Sequence, residues 1–178
     1  MAGRVPAANP LMNQISPNAR ISKLADIEES VRGSKLIIAD GVMIDAFVKI
    51  KFTGGLGDIV IGADCAINAG TVLYSGNGIA MGKAVLVAAN CTLAPTNHEF
   101  ASANSRILDQ GFKPSRGGIV IEDDVWIGAN CAVLDGAILR RGCVVGAGAV
   151  VHRELEPYSI YAGNPLRKIG LRSALAPD

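Results

Sequence analysis

The chain has only two histidines, His98 and His152, so few of its side chains can exchange a proton near neutrality. His98 stands in the stretch PTNHEF at 95–100. A histidine with an ordinary pKa of about 6.5 is largely neutral at pH 7 and can take a proton from a hydroxyl as that hydroxyl attacks an electrophile. A surface or structural role is the alternative for a loop histidine. Two histidines are too few for a three-histidine zinc site. The four cysteines contain no CxxC pair, so a zinc ribbon is also unsupported. Glu99 could orient His98, but adjacent residues of an extended segment point apart, which favours a solvated charge.

What must position His98 is a six-residue repeat. From residue 119 the chain reads IVIEDD VWIGAN CAVLDG AILRRG CVVGAG AVVHRE, with an aliphatic residue every six: Ile121, Ile127, Val133, Leu139, Val145, Val151. The same register runs upstream through Ile38, Ile44, Ile50, then Ile61, Ile67, Leu73, then Met81, Val87, Leu93. Alternation within each hexad followed by turn residues is the signature of short strands. Strands that turn every six residues close an 18-residue coil, and coils about 4.8 Å apart pair in parallel around an apolar interior. The expected fold is all-β: a parallel β-helix of about five triangular coils.

Four cysteines, Cys65, Cys91, Cys131 and Cys143, lie two residues before interior aliphatics and are expected to be reduced and buried. The repeat is interrupted by short bulges at FTGGLGD (52–58) and SGNG (75–78) and by a long excursion over 94–118. His98 sits at the root of that excursion, where a rigid wall can fix its side chain. Ala129 and Ala147 are 18 residues apart and should stack on adjacent coils, leaving backbone groups open to an extended chain. Trp126 precedes interior Ile127, so it should point outward, toward a ligand or another subunit.

Apolar residues make up 49% of the 178 and aromatics 4%, with 21 glycines, as suits a core of Val, Ile, Leu and Ala with many corners. The net charge of +1 does not imply nucleic acid as a partner. The six basic residues after position 137, including Arg153, Arg167 and Lys168, face three acidic ones, which suits either a solvated face or a phosphate-bearing ligand. With no apolar run of 18 residues and no leader pattern, no membrane span is expected and the location is read as cytoplasmic. Three segments are expected: an N-terminal arm (1–34), the β-helix (35–156) and a C-terminal capping extension (157–178).

These motifs together resemble the hexapeptide-repeat acyltransferases. IEDDVWIGANC (121–131) and PYSIYAGNPLRKI (157–169) narrow the likeness to sugar and polysaccharide O-acetyltransferases. The resemblance implies a left-handed β-helix and a homotrimer with active sites between subunits. It implies acetyl-CoA as donor, no metal, and a sugar, nucleotide sugar or polysaccharide hydroxyl as acceptor. By the same likeness His98 is the catalytic base and Asn68 an acceptor contact. Trp126 flanks the acetyl-thioester end, Ala129 and Ala147 meet the pantetheine arm, and Arg167 lies near the nucleotide end. Arg153 and Lys168 join Arg167 as candidates for the phosphates of CoA. Ser75 and Gly76 stand where the galactoside and maltose branch has an acidic acceptor contact, and His152 stands where Thr or Ser is common near the cofactor. The competing readings are N-acetylation of an amino sugar and a non-catalytic trimeric scaffold.

Overall fold

Each hexad does become a strand of two or three residues, and the strands stack in parallel into three sheets. The computed structural model describes residues 13–173. One full round consists of Ile79–Met81 on the first face, Leu86–Val87 on the second and Thr92–Ala94 on the third. Each strand pairs with those of the rounds before and after it, so the sheets run along the prism and the hydrogen bonds link neighbouring coils. The inward residue of each hexad is fully buried: Ile121, Ile127, Val133, Leu139, Val145 and Val151 are at most 1% exposed. Burying such an aliphatic contributes about 1.5–3 kcal/mol, so the stacked columns supply most of the driving force.

The strands make six rounds, where the sequence suggests about five. The extra round is Asn13–Ile15, Arg20–Ile21 and Asp26–Ile27, inside the segment read as an arm. It pairs in register with Leu36–Ile38, Met43–Ile44 and Lys49–Lys51. It keeps the hexad aliphatic at Ile15, Ile21 and Ile27, which the break at 28–35 puts out of step with Ile38. With a neighbour on one side only, Ile21 and Ile27 are only partly buried. Residues 1–12 of the expected arm, and 174–178 of the expected extension, lie outside the described residues. At the other end Glu154–Leu155 and Ser159–Ala162 begin a seventh round. Arg167–Leu171 then turns back antiparallel on Ser159–Ala162 and ends the second sheet.

Corners between the second and third faces need a left-handed residue, and Gly70, Asn90, Asn130 and Gly148 supply it with φ of 72°, 59°, 58° and 72°. Corners between the third and first faces carry the interruptions. Here the two bulges seen in the sequence stack on each other and on the loop root. Gly57 N–H donates to Gly76 O (2.9 Å), Gly76 N–H to Thr53 O (3.0 Å) and Asn77 N–H to Pro95 O (3.0 Å). A Cβ on Gly55 or Gly57 would overlap the backbone of Gly76 or Gly78. Glycine is required by this close approach.

Cys65, Cys91, Cys131 and Cys143 are free and at most 2% exposed. Burial pushes the Cys143 thiol up to about 12 and also raises that of Cys65. The contact with Cys91 lowers the Cys131 thiol to about 7, so its protection rests on burial alone. All four thiols in the native protein should resist a bulky maleimide at pH 8, and rapid labelling of two or more would contradict this packing. Gly57→Ala should cost about 1–3 kcal/mol of stability by overpacking. Gly170→Ala, where the nearest atom to a new Cβ is 3.8 Å away, should leave the denaturation midpoint almost unmoved.

Candidate functional site

Residues 95–118 leave the prism after Ala94 and rejoin it at Ile119. The loop is a pinned hairpin at its base: Lys113 N–H donates to Asn97 O (2.8 Å) and Glu99 N–H to Gly111 O (3.0 Å). His98 and Phe112 face each other across this antiparallel bridge, with ring centres 4.7 Å apart and planes tilted by 38°. Thr96 Oγ1 donates to Gly54 O (3.1 Å), tying the root to the bulge of the second coil. His98 is exposed on one side and on the other lines a cavity of about 320 Å³ with Thr53, Gly54, Tyr74, Ala94, Thr96 and Phe112. No carboxylate or cation lies in that lining.

Glu99 does not touch the imidazole. Its carboxylate accepts from the backbone N–H groups of Phe100 (2.8 Å) and Ala101 (2.9 Å), which hold its pKa below the ordinary value. The expectation of a solvated charge is thus amended: Glu99 closes the turn after His98. Lys113 stacks its ammonium 3.8 Å from the centre of the Phe100 ring.

The other residues singled out in the sequence lie elsewhere. Trp126 is 49% exposed on the second face, in an outward column with Met43, Ala66, Leu86, Val144 and Ile160. Ala129 and Ala147 stack at the corner between the second and third faces. There Gly148 N–H donates to Ala129 O (2.8 Å), while a Cβ on Gly128 would come within 2.6 Å of Ala147 N. Arg167 stands further along, on the antiparallel return strand. Trp126, Ala129, Ala147 and Arg167 therefore rise in order along one side of the prism. Of the basic trio, Arg153 donates to Leu166 O (3.0 Å) and Lys168 pairs with Glu156 (2.5 Å). Arg167 has no such partner among the described residues.

Asn68 lies on the second-face side as well, two coils below Trp126. Its Nδ2 donates to Val87 O (2.7 Å), and it borders an open groove of about 640 Å³ with Arg20, Met43 and Asp45. Within one chain the structure does not bring Asn68, Trp126, Ala129 or Ala147 to His98. The third face separates them, since His98 leaves its far edge. Ser75 is fully buried, with its hydroxyl directed at Thr53 O (3.5 Å), so it is part of the bulge stack.

Sequence reasoning missed Phe112, Tyr74 and Thr53. Phe112 could have been suspected as one of four phenylalanines in an aromatic-poor chain. Tyr74, one of three tyrosines and the end of the strand Val72–Tyr74, carried the same signal. Thr53 carried none, because only the stacking of the bulges brings it beneath His98.

Residues 118–153 match the family described as bacterial transferase hexapeptide (six repeats). Over that stretch the chain is similar to the hexapeptide-repeat transferases. It is 36% identical over 111 residues to a probable acetyltransferase of Mycobacterium tuberculosis, covering 62% of this chain and 34% of that protein. It is 30% identical over 118 residues to a chloramphenicol acetyltransferase of Agrobacterium fabrum, covering 66% and 54%. The chain thus spans about a third to a half of the length of these curated relatives. Among solved structures it resembles AntD, an N-acyltransferase from Bacillus cereus in complex with dTDP and 3-hydroxybutyryl-CoA. The TM-score is 0.74 at 25% identity, over 90% of this chain and 83% of that one. A hexapeptide-repeat acetyltransferase from Vibrio cholerae gives 0.57 at 32% identity, over 65% and 64%.

Phe112→Ala should move the His98 imidazole resonances in a proton–carbon NMR spectrum, because a ring 4.7 Å away is removed. Those of His152 should stay in place, and with two histidines in the chain the two sets are separable. Unmoved His98 signals would show that the pair is not stacked in solution.

Proposed function

We propose that this protein transfers an acetyl group from acetyl-CoA to a hydroxyl of a sugar-containing acceptor, on a left-handed β-helix that assembles as a homotrimer. The observation that carries this reading is the division of the site. A stacked column that could hold a long amide-bearing donor runs along one edge of the third face, and the one histidine on a fixed loop root stands at its other edge. A second copy packed against the outward apolar column of Met43, Leu86 and Trp126 brings the two halves together and covers those side chains. The family match and the acyltransferase relatives support the same chemistry.

In this mechanism the donor lies in the groove between two subunits. Trp126 flanks its thioester end, Ala129 and Ala147 meet the pantetheine arm, and Arg153, Arg167 and Lys168 stand toward its phosphates. Asn68 and the groove beside it hold the acceptor. His98 Nε2 or Nδ1 takes the proton of the acceptor hydroxyl as its oxygen attacks the thioester carbonyl. The oxyanion accepts a hydrogen bond from a backbone N–H near Ala129. As the intermediate collapses the C–S bond breaks, and the imidazolium returns its proton to the departing thiolate. No covalent enzyme intermediate is needed.

The lining of the His98 cavity holds no carboxylate to receive an ammonium, which supports a hydroxyl acceptor. Asp45, in the groove beside Asn68, is the carboxylate an amino sugar would meet. The likeness to AntD favours the second reading, N-acylation: a variant of that enzyme is seen with dTDP-4-amino-4,6-dideoxyglucose and coenzyme A, with a TM-score of 0.76 at 26% identity. Thiol release from acetyl-CoA with hydroxyl-only and amino-sugar acceptors in parallel separates the two.

His98→Ala should lower kcat by about 10²–10⁴-fold with little change in acetyl-CoA affinity, whereas His152→Ala should act on KM. Light scattering should give a trimer, and a fully active monomer would refute the shared site. Mixing His98→Ala subunits with inactive Ala147→Trp subunits should restore about a quarter of the activity if sites lie between subunits. No recovery would put the whole site within one chain.

A further inference from the structure

A second cavity opens beyond the loop root, one to two coils along from His98, or about 5–10 Å at the coil spacing. It measures about 280 Å³ and is bounded by Thr96 and Asn97 on the outgoing limb, Lys113 and Arg116 on the returning limb, and Asp135 and His152 on the next two corners.

Three of these six groups can carry positive charge, and none forms an ion pair among the described residues. The single carboxylate is already occupied. Asp135 is 7% exposed, its Oδ2 accepts from Arg116 N–H (2.8 Å) and its Oδ1 from Gly118 N–H (2.9 Å). It therefore anchors the returning limb through backbone groups and leaves the guanidinium unpaired. That guanidinium lies over Gly136, where a Cβ would sit 3.0 Å from Nε and 3.1 Å from Cζ. Gly136, at φ 81°, keeps the space open for it. Lys113 is held by its backbone bond to Asn97 and by the Phe100 ring. Side chains pre-placed around a concave space, with a net positive lining, are what a doubly charged oxyanion requires.

We infer that this cavity is an anion subsite that takes a phosphate or pyrophosphate group of one of the two substrates. Its assignment to a substrate rests on the acyl-transfer reading; anion binding itself does not. Arg153 is engaged by Leu166 O and Lys168 by Glu156, so of the C-terminal trio only Arg167 stands beside the loop cations as a phosphate ligand without an ion pair among the described residues. Pyrophosphate occurs both in CoA and in a nucleoside diphosphate sugar, and the same lining would serve either.

The test uses the full chain in its native oligomer. Inorganic pyrophosphate, titrated by calorimetry, should bind the wild type and bind Lys113→Gln/Arg116→Gln at least about tenfold more weakly, the loss expected for charge-assisted hydrogen bonds. Arg116→Gln alone and His152→Gln alone leave the Asp135 contacts intact and give the same reading if the double variant does not fold. A KM that rises for acetyl-CoA and not for acetyl-pantetheine assigns the anion to the donor. A KM that rises for a nucleoside diphosphate sugar and not for the free sugar assigns it to the acceptor. Equal pyrophosphate affinity in wild type and variants, or no binding by the wild type, overturns the subsite whether or not the chain transfers acetyl groups. Weakened pyrophosphate binding with every KM unmoved overturns its assignment to a substrate.

Discussion

Every feature of this molecule depends on the register between one coil and the next. A single coil makes almost no backbone hydrogen bonds of its own, since its strands bond to the coils before and after it. A slip of one residue would turn the inward aliphatics to water and the outward residues to the core. The chain therefore cannot insert or delete within a face. It can do so only where two faces meet, and here every long interruption, at 28–35, 52–58, 75–78 and 95–118, falls at the corner between the third and first faces. Three of these stack into the platform that carries His98.

That constraint also explains why the site is divided. The corner that tolerates insertions can grow a loop and place a titratable side chain. The corner between the second and third faces keeps the strict repeat, with Gly128 and Gly146 pressed against the next coil, and so offers an even column of backbone. One corner suits proton transfer and the other an extended donor. A triangular prism places these two corners apart.

The repeat was legible because burial is periodic: each inward Ile, Val or Leu occupies a position that no polar residue could share. The orientation of Trp126 and the burial of the four cysteines followed from the same alternation. The first coil keeps the hexad aliphatic at Ile15, Ile21 and Ile27, in register with Ile38, Ile44 and Ile50, but the segment 28–35 breaks the spacing before Ile38 and hid the continuity. Nor could the surroundings of His98 be read. Thr53 and Phe112 come from two separate departures from the repeat, which have no period from which contacts can be inferred, and Tyr74 ends a regular strand that only the loop root brings near His98. Asn68 was singled out as an acceptor contact, and its side-chain amide is bonded to the coil above.

The return strand Arg167–Leu171 has a further consequence. A parallel β-helix ends in open strand edges, which offer unpaired N–H and C=O groups to any other chain, another prism included. By folding back antiparallel, this segment covers the last parallel strand of the second sheet and presents Arg167 and Lys168 at the new margin. The reversed direction breaks the rise of the coil, so at this end the second sheet offers no parallel edge for a further coil to continue.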